Sequence, residues 1–231
     1  MDVRHISRRF GNLVALKDVG FSARPGEILG LVGPNGAGKT TLLEILSGLL
    51  SADSGTVSWG GTLLAPTERK DVLFYVPEAV TPYPAESVAK LLGTFGRLFG
   101  CAEERQVGAI RALRLGPVME TRGAHLSKGY RRRVLIALGM LAPQPVLIMD
   151  EPFDGLDLRQ TREVVGVLRQ AAAAGRSLVL SIHQLVDAER VCDRFVLLSG
   201  GIVRGAGTLE ELRGLARVGK VGLEEVFLAL T

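Results

Sequence analysis

The residues with the clearest chemistry in this 231-residue chain are Gly33-Pro34-Asn35-Gly36-Ala37-Gly38-Lys39-Thr40, a glycine followed after four residues by Gly-Lys-Thr. That spacing marks a phosphate-cradling loop when an apolar strand precedes it and a helix follows. The runs 27–32 and 39–49 supply both. Glycines let backbone N–H groups curl around phosphates, and the helix behind them points its positive dipole end the same way. Lys39 can neutralise the outer phosphates, and the Thr40 hydroxyl can ligate Mg²⁺. A second set follows at Val146-Leu147-Ile148-Met149-Asp150-Glu151-Pro152, a buried-strand run that ends in two carboxylates. Successive strand side chains point to opposite faces, so the two acids have different roles. Asp150 can hold Mg²⁺ through water, and Glu151 is free to polarise an attacking water.

Three weaker signals lie around these. Ser127, in Leu126-Ser127-Lys128-Gly129-Tyr130, is placed to cap the helix that follows. A helix start with a serine hydroxyl and a glycine N–H is also a second anion site, and the residues alone leave both readings open. His183 closes the strand-like run 178–182, one crossover beyond Asp150, which puts its imidazole within reach of a terminal phosphate. Asp154-Gly155-Leu156-Asp157 reads as a turn.

The elements that must position these residues follow from periodicity. Strands are expected at 3–10, 13–23, 27–32, 55–59 and 72–76, then helix from 87 to 141, with apolar spacing at Val88, Leu91, Leu92 and Phe95. Alternation returns with strands at 146–149, 178–182 and 194–198 around a helix at 159–174. The pattern implies an α/β core of parallel strands interrupted by a helical insertion from about Ala79 to Leu141. With 47% hydrophobic and 23% charged residues the chain is an ordinary globular protein, and a net charge of +4 does not single out a partner. The run Arg131-Arg132-Arg133 is too short for a nucleic-acid tail and is expected to form a solvated helix face. Cys101 and Cys192 are expected to be reduced packing residues, with neither a disulfide framework nor a metal site between them. Met1-Asp2-Val3-Arg4-His5 shows no apolar leader, and no stretch reaches the run of about 18 apolar residues that a membrane span needs.

Together and in this order the segments resemble the nucleotide-binding domain of ABC transporters, over essentially the whole chain. The phosphate loop and the Asp150-Glu151 strand are similar to that family's Walker A and Walker B motifs. Residues 126–130 resemble its signature, Asp154-Gly155-Leu156-Asp157 its D-loop, and His183 its switch histidine. The resemblance implies a P-loop NTPase core with a mostly parallel sheet, an N-terminal antiparallel β subdomain and an inserted helical subdomain. Residues 1–78 and 142–231 would form the core and 79–141 the insertion. ATP and Mg²⁺ are the implied cofactors. The nucleotide set would be Gly33, Pro34, Asn35, Gly36, Ala37, Gly38, Lys39, Thr40 and Thr41, with Phe10 either stacking on adenine or belonging to the core. Glu151, His183 and Lys39 would be catalytic, and Thr40, Asp150 and Glu78 would face the metal. Two subunits, expected to be identical, would pack head to tail, each nucleotide being sandwiched against the other subunit's Ser127, Lys128 and Gly129. The resemblance also implies a separate transmembrane permease, no direct nucleic-acid contact, and a cytoplasmic position on the inner face of the cell membrane.

Three segments depart from the common family pattern. Lys128 and Tyr130 stand where Gly and Gln are usual, and the lysine either adds charge near the phosphates or points to solvent. Asp154-Gly155 replaces the usual Ser-Ala, and Glu78 stands where a glutamine is expected. An ionised glutamate can still ligate Mg²⁺ but cannot donate a hydrogen bond. Glu78, the Lys-Gly signature and the tail Leu223-Glu224-Glu225-Val226-Phe227-Leu228 resemble the bacterial export branch, in which the permease is a separate chain. The same resemblance makes the junction at Val80-Thr81-Pro82-Tyr83-Pro84 a groove for a permease helix, although these residues can equally just rigidify a loop. The alternative is a soluble ABC ATPase acting on nucleic acid or ribosomes without a permease. Against it stand the lack of a long coiled coil and the presence of only one such domain.

Overall fold

The computed structural model describes residues 1–78 and 80–231. Ala79, where the helical insertion is expected to begin, lies outside the described residues. The chain opens with β1 (Asp2–Phe10), β2 (Leu13–Ser22) and β3 (Ile28–Val32), followed by α1 (Lys39–Ser47). Next come β4 (Ser54–Trp59), β5 (Thr62–Leu63), a short α2 (Arg69–Val72) and β6 (Leu73–Val76). Three helices succeed each other as α3 (Val88–Leu98), α4 (Glu103–Ala112) and α5 (Lys128–Leu141). Alternation resumes with β7 (Val146–Asp150), α6 (Leu158–Ala173), β8 (Ser177–Ile182), α7 (Leu185–Val191), β9 (Arg194–Ser199) and β10 (Ile202–Gly207). The chain ends in α8 (Leu209–Ala216) and α9 (Leu223–Leu230).

These strands form two sheets. An antiparallel sheet has the order β2-β1-β4-β5, and a six-stranded sheet has the order β10-β9-β3-β8-β7-β6. All neighbours in the second are parallel except the β9–β10 hairpin at its edge. The period-2 pleat sorts the apolar side chains into two layers. Val146 and Ile148 of β7 pack with α1 and the antiparallel sheet, while Leu147 and Met149 pack with α5 and α6. Both faces are covered, so β3, β7 and β8 are buried at every residue and read in the sequence as unbroken apolar runs. The expected α/β fold, with its antiparallel N-terminal sheet and its helical segment, is the observed one.

Strand β6 starts at Leu73 and not at Val72, because its partner β7 begins at Val146, opposite Leu73, leaving Val72 in the last position of α2. In the helical segment Val88, Leu91 and Leu92 are buried and Phe95 packs against the same cluster, as their spacing predicts. Phe99 stands edge-on to Phe74 of β6 at 5.7 Å, joining α3 to the sheet. The arginine run departs from its expectation. Arg132 and Arg133 are only 4% and 5% exposed. Helical residues advance by about 100° each, so three in a row cannot share one solvated face. Arg133 covers the Tyr130 ring at 4.2 Å and donates to the Leu113 carbonyl. At the far end of α5, Arg105 and Arg176 donate to the carbonyls of Met140, Ala142 and Gly139, which neutralises the negative end of that helix. Burial, with Arg105 close by, lowers the pKa of Arg176 to about 10.

Candidate functional site

Parallel pairing decides where the site lies. Val32 pairs with Ile182, Ser181 with Asp150, and Met149 with Val76, so β3, β8, β7 and β6 end along one edge of the sheet. The segments leaving that edge are the glycine-rich loop before α1, Glu151, His183 and Pro77-Glu78. This edge of a doubly wound sheet is where nucleotides bind.

Lys39, the first residue of α1, is buried, and its Nζ donates to the carbonyls of Gly33 at 2.8 Å and Pro34 at 3.3 Å. Asp150 is 1% exposed, and two hydroxyls stabilise its carboxylate. Thr40 Oγ1 donates to Oδ2 at 2.8 Å, and Ser181 Oγ donates to Oδ1. Burial, and then the Asp150 charge, push the neighbouring Tyr75 phenol far above its ordinary pKa. Glu151 leaves the strand with φ 49, a strained backbone for a glutamate. Its N–H is held by Ser181 through the carbonyl at 3.2 Å and Oγ at 3.0 Å. The turn carries its carboxylate away from Asp150: Oε1 lies 4.0 Å from Lys39 Nζ and Oε2 lies 2.7 Å from His183 Nδ1. Burial raises the Glu151 pKa, while His183 and Lys39 oppose the rise. A carboxylate with an elevated pKa beside an imidazole and a buried ammonium is suited to general-base work.

These groups open on a cavity of about 810 Å³. It is lined by Asn35, Gly36, Ala37, Gly38, Lys39, Thr40 and Thr41 of the loop and α1, by Asp150, Glu151, His183 and Glu78, and by Phe10, Leu13 and Val14. Phe10 is 44% exposed, which removes the core reading for it. The guanidinium of Arg8 lies 4.8 Å from the Phe10 ring centroid and is itself tied to Asp53 at 2.8 Å. Lys128 and Asp154 reach the rim of the cavity. Gly33 and Pro34, expected in the nucleotide set, do not line it; their carbonyls accept from Lys39 Nζ instead. Ser127 and Gly129 are also off the wall. Ser127 Oγ accepts from the Tyr130 N–H at 3.3 Å, so within one chain it acts as the cap of α5. No cluster of three or more His, Cys, Asp or Glu able to hold a metal occurs among the described residues. The Thr40 hydroxyl and Asp150 carboxylate still fit Mg²⁺, which takes one or two protein oxygens and completes its shell with phosphate and water.

Two contributors escaped the sequence reading. Ser181 Oγ ties the Asp150 carboxylate to the Glu151 N–H, and its signal was a hydroxyl near the end of the fully buried run Ser177–Ile182. Arg132 donates to the carbonyls of Pro77 (3.3 Å), Asp150 (3.2 Å) and Glu78 (2.8 Å), so one guanidinium ties α5 to the ends of β6 and β7. Arg132→Met leaves those carbonyls without their donor and should cost about 2–4 kcal/mol of stability in urea unfolding. It should also lower kcat more than it raises KM. A loss below about 1 kcal/mol would mean that the bonds are dispensable.

Residues 16–154 match a family model described as ABC transporter. The ABC-type transporter ATP-binding protein EcsA of Bacillus subtilis is 31% identical over 237 residues, covering 100% of this chain and 96% of its own length. The Nod factor export ATP-binding protein I of Burkholderia lata is 33% identical over 89% of this chain and 70% of its own. A solved ATP binding subunit of an ABC transporter aligns with a TM-score of 0.89 and 32% identity, over 99% of this chain and 98% of that one.

Proposed function

The chain belongs to the ABC transporter family as an ATP-binding, ATP-hydrolysing subunit, and on that premise we propose that it powers an exporter by closing head to tail on a second copy of itself. The observation that carries this reading is the part-buried Glu151, held between His183 and Lys39 beside the Thr40–Asp150 pair. In our reading ATP stacks its base on Phe10 and lays its phosphates along residues 35–41. Lys39 turns from the loop carbonyls to the phosphates, which offer it negative charge in their place. Thr40, Asp150 and Glu78 face Mg²⁺, which when bound would offset charge on the phosphate oxygens. Glu151 takes the proton of the attacking water, and His183 holds the Glu151 carboxylate in position. Ser127, Lys128 and Gly129 then serve the second copy's nucleotide. Ser127 and Gly129 do not line this chain's own cavity, which supports that division of labour, and Lys128 reaches only its rim.

The helical insertion, 79–141, would carry the signature, with 1–78 and 142–231 as the catalytic core. Export is supported by the function named for the Burkholderia relative and by Glu78, Lys128 and the 223–228 tail. No helix among the described residues is long and apolar enough to cross a membrane. The permease is proposed to be another chain, with this subunit on the cytoplasmic face and no nucleic acid bound. A second, apolar cavity of about 420 Å³ suits a permease helix and is lined by Phe74, Val80, Pro82, Tyr83, Phe95 and Leu135 among others. Tyr83, 60% exposed, stands edge-on to Phe95 at 6.2 Å. An aromatic with one wet edge is a common interface anchor. Tyr83→Ala should keep ATP affinity and basal hydrolysis within about twofold while reducing recovery of a membrane protein, in pull-downs from solubilised membranes, about tenfold or more. Recovery of no membrane protein by the unaltered chain would reject the transporter reading, and loss of nucleotide binding in the variant would make Tyr83 a core residue.

A further inference from the structure

Two of the three unusual segments meet in space. Lys128 Nζ grips both oxygens of Asp154, at 2.8 Å and 2.7 Å. Gly155 makes room for the lysine: it sits at φ 78, and a Cβ there would come within 2.6 Å of Lys128 Cγ. The N–H of Asp154 donates to the carbonyl of Glu151 at 3.2 Å, so the acid that holds Lys128 is wired to the catalytic turn. The pair lies at the rim of the nucleotide cavity, with the lysine side chain 66% exposed and the aspartate 27%. A pair this exposed holds its partners weakly. The terminal phosphates of a nucleotide offer the same ammonium more negative charge and more acceptor oxygens.

We propose that Lys128 is a phosphate-engaging cation held in reserve by Asp154. On closure it leaves Asp154 for the terminal phosphates of the nucleotide carried by a second copy of this chain. Asp154 thereby competes with the incoming nucleotide and sets how readily two copies close. The inference rests on the head-to-tail dimer proposed above and adds to it the group that restrains closure.

The competing arrangement is a permanent brace, in which the pair stays shut throughout the cycle. The two make opposite predictions for Asp154. In a Glu151→Gln parent with ATP and Mg²⁺, the dimer dissociation constant is measured by sedimentation for Asp154→Asn, Lys128→Met and the double variant. Asp154→Asn should tighten the dimer about threefold to tenfold, because it frees the lysine. Lys128→Met should weaken it by at least as much, and the double variant should match Lys128→Met. Weakening by Asp154→Asn, or no change, overturns the exchange and leaves a brace or an idle surface pair. Circular dichroism and ATP affinity of the dilute monomer confirm that each variant folds. A parent that fails to dimerise with ATP rejects the head-to-tail reading itself, and the exchange with it, so the two failures are distinguishable.

Discussion

Glu151→Gln should bind ATP with near-normal affinity and turn it over on the order of 10²–10⁴-fold more slowly. The substitution keeps the size of the side chain and a hydrogen-bonding partner for His183 Nδ1, 2.7 Å away, and removes only the basicity. The Asp150–Thr40 pair and the Lys39 contacts to the loop are independent of Glu151, so binding should survive. Stopped-flow nucleotide binding and single-turnover hydrolysis separate the two effects. Hydrolysis within about tenfold of the unaltered chain would sink the general-base assignment. The same residue predicts the acid side of the pH profile. A base works only when ionised, and burial raises the Glu151 pKa. Activity should therefore fall, as pH drops, from a higher pH than an ordinary glutamate with a pKa of about 4.3 would give. His183 opposes that rise through its hydrogen bond and its charge. His183→Ala should move the residual activity's acid limb further toward neutral pH, and a limb that stays in place would exclude Glu151 as the titrating group.

The edge that carries the candidate site was legible because its residues are fixed by local chemistry. A glycine-rich loop between an apolar strand and a helix has one common use, and two acids at the end of a buried strand have few others. What the sequence hid is set by tertiary placement. Residue type alone did not distinguish Arg132 from a solvated arginine, although its helical phase relative to Arg131 and Arg133 already excluded one shared face. Lys128 left two readings open, phosphates or solvent, and the residue that decides the matter in one chain, Asp154, is 26 positions away. Phe10 was ambiguous because a strand aromatic looks alike at a rim and in a core, and exposure alone tells them apart. The edge strand β10 was missed despite a signal. Gly200-Gly201 between two apolar runs is a two-residue hairpin turn, and both glycines take positive φ, 57 and 73. Helices α7, α8 and α9 were passed over because they are only seven or eight residues long, too short for periodicity to stand out.

The second large effect appears only when two inactive variants are mixed. Lys39→Ala removes the buried ammonium at the phosphate loop, and Ser127→Arg places a bulky cation on the signature face. If the proposed head-to-tail homodimer forms, each alone should be nearly inactive, because a symmetric dimer then carries the lesion in both composite sites. Ser127 also caps α5, where its Oγ accepts from the Tyr130 N–H, so the arginine carries a stability cost of about 1 kcal/mol that has to be kept apart from lost activity. Mixing does so. Random pairing makes about half the dimers mixed, and in each of these one site carries both lesions while the other carries none. With independent sites the mixture should regain roughly a quarter of normal ATPase activity, whereas a variant that had merely unfolded could not be rescued by a partner. Activity should rise on mixing and, at concentrations well below the dimer dissociation constant, scale with the product of the two, as dimer formation requires. If Ser127→Arg alone retains full activity, Ser127 is a helix cap and nothing more, and the head-to-tail arrangement loses its anion site. If both variants are inactive and no activity returns, while sedimentation shows that mixed dimers form, the two sites fire only together, and a single intact site in this enzyme cannot complete a turnover.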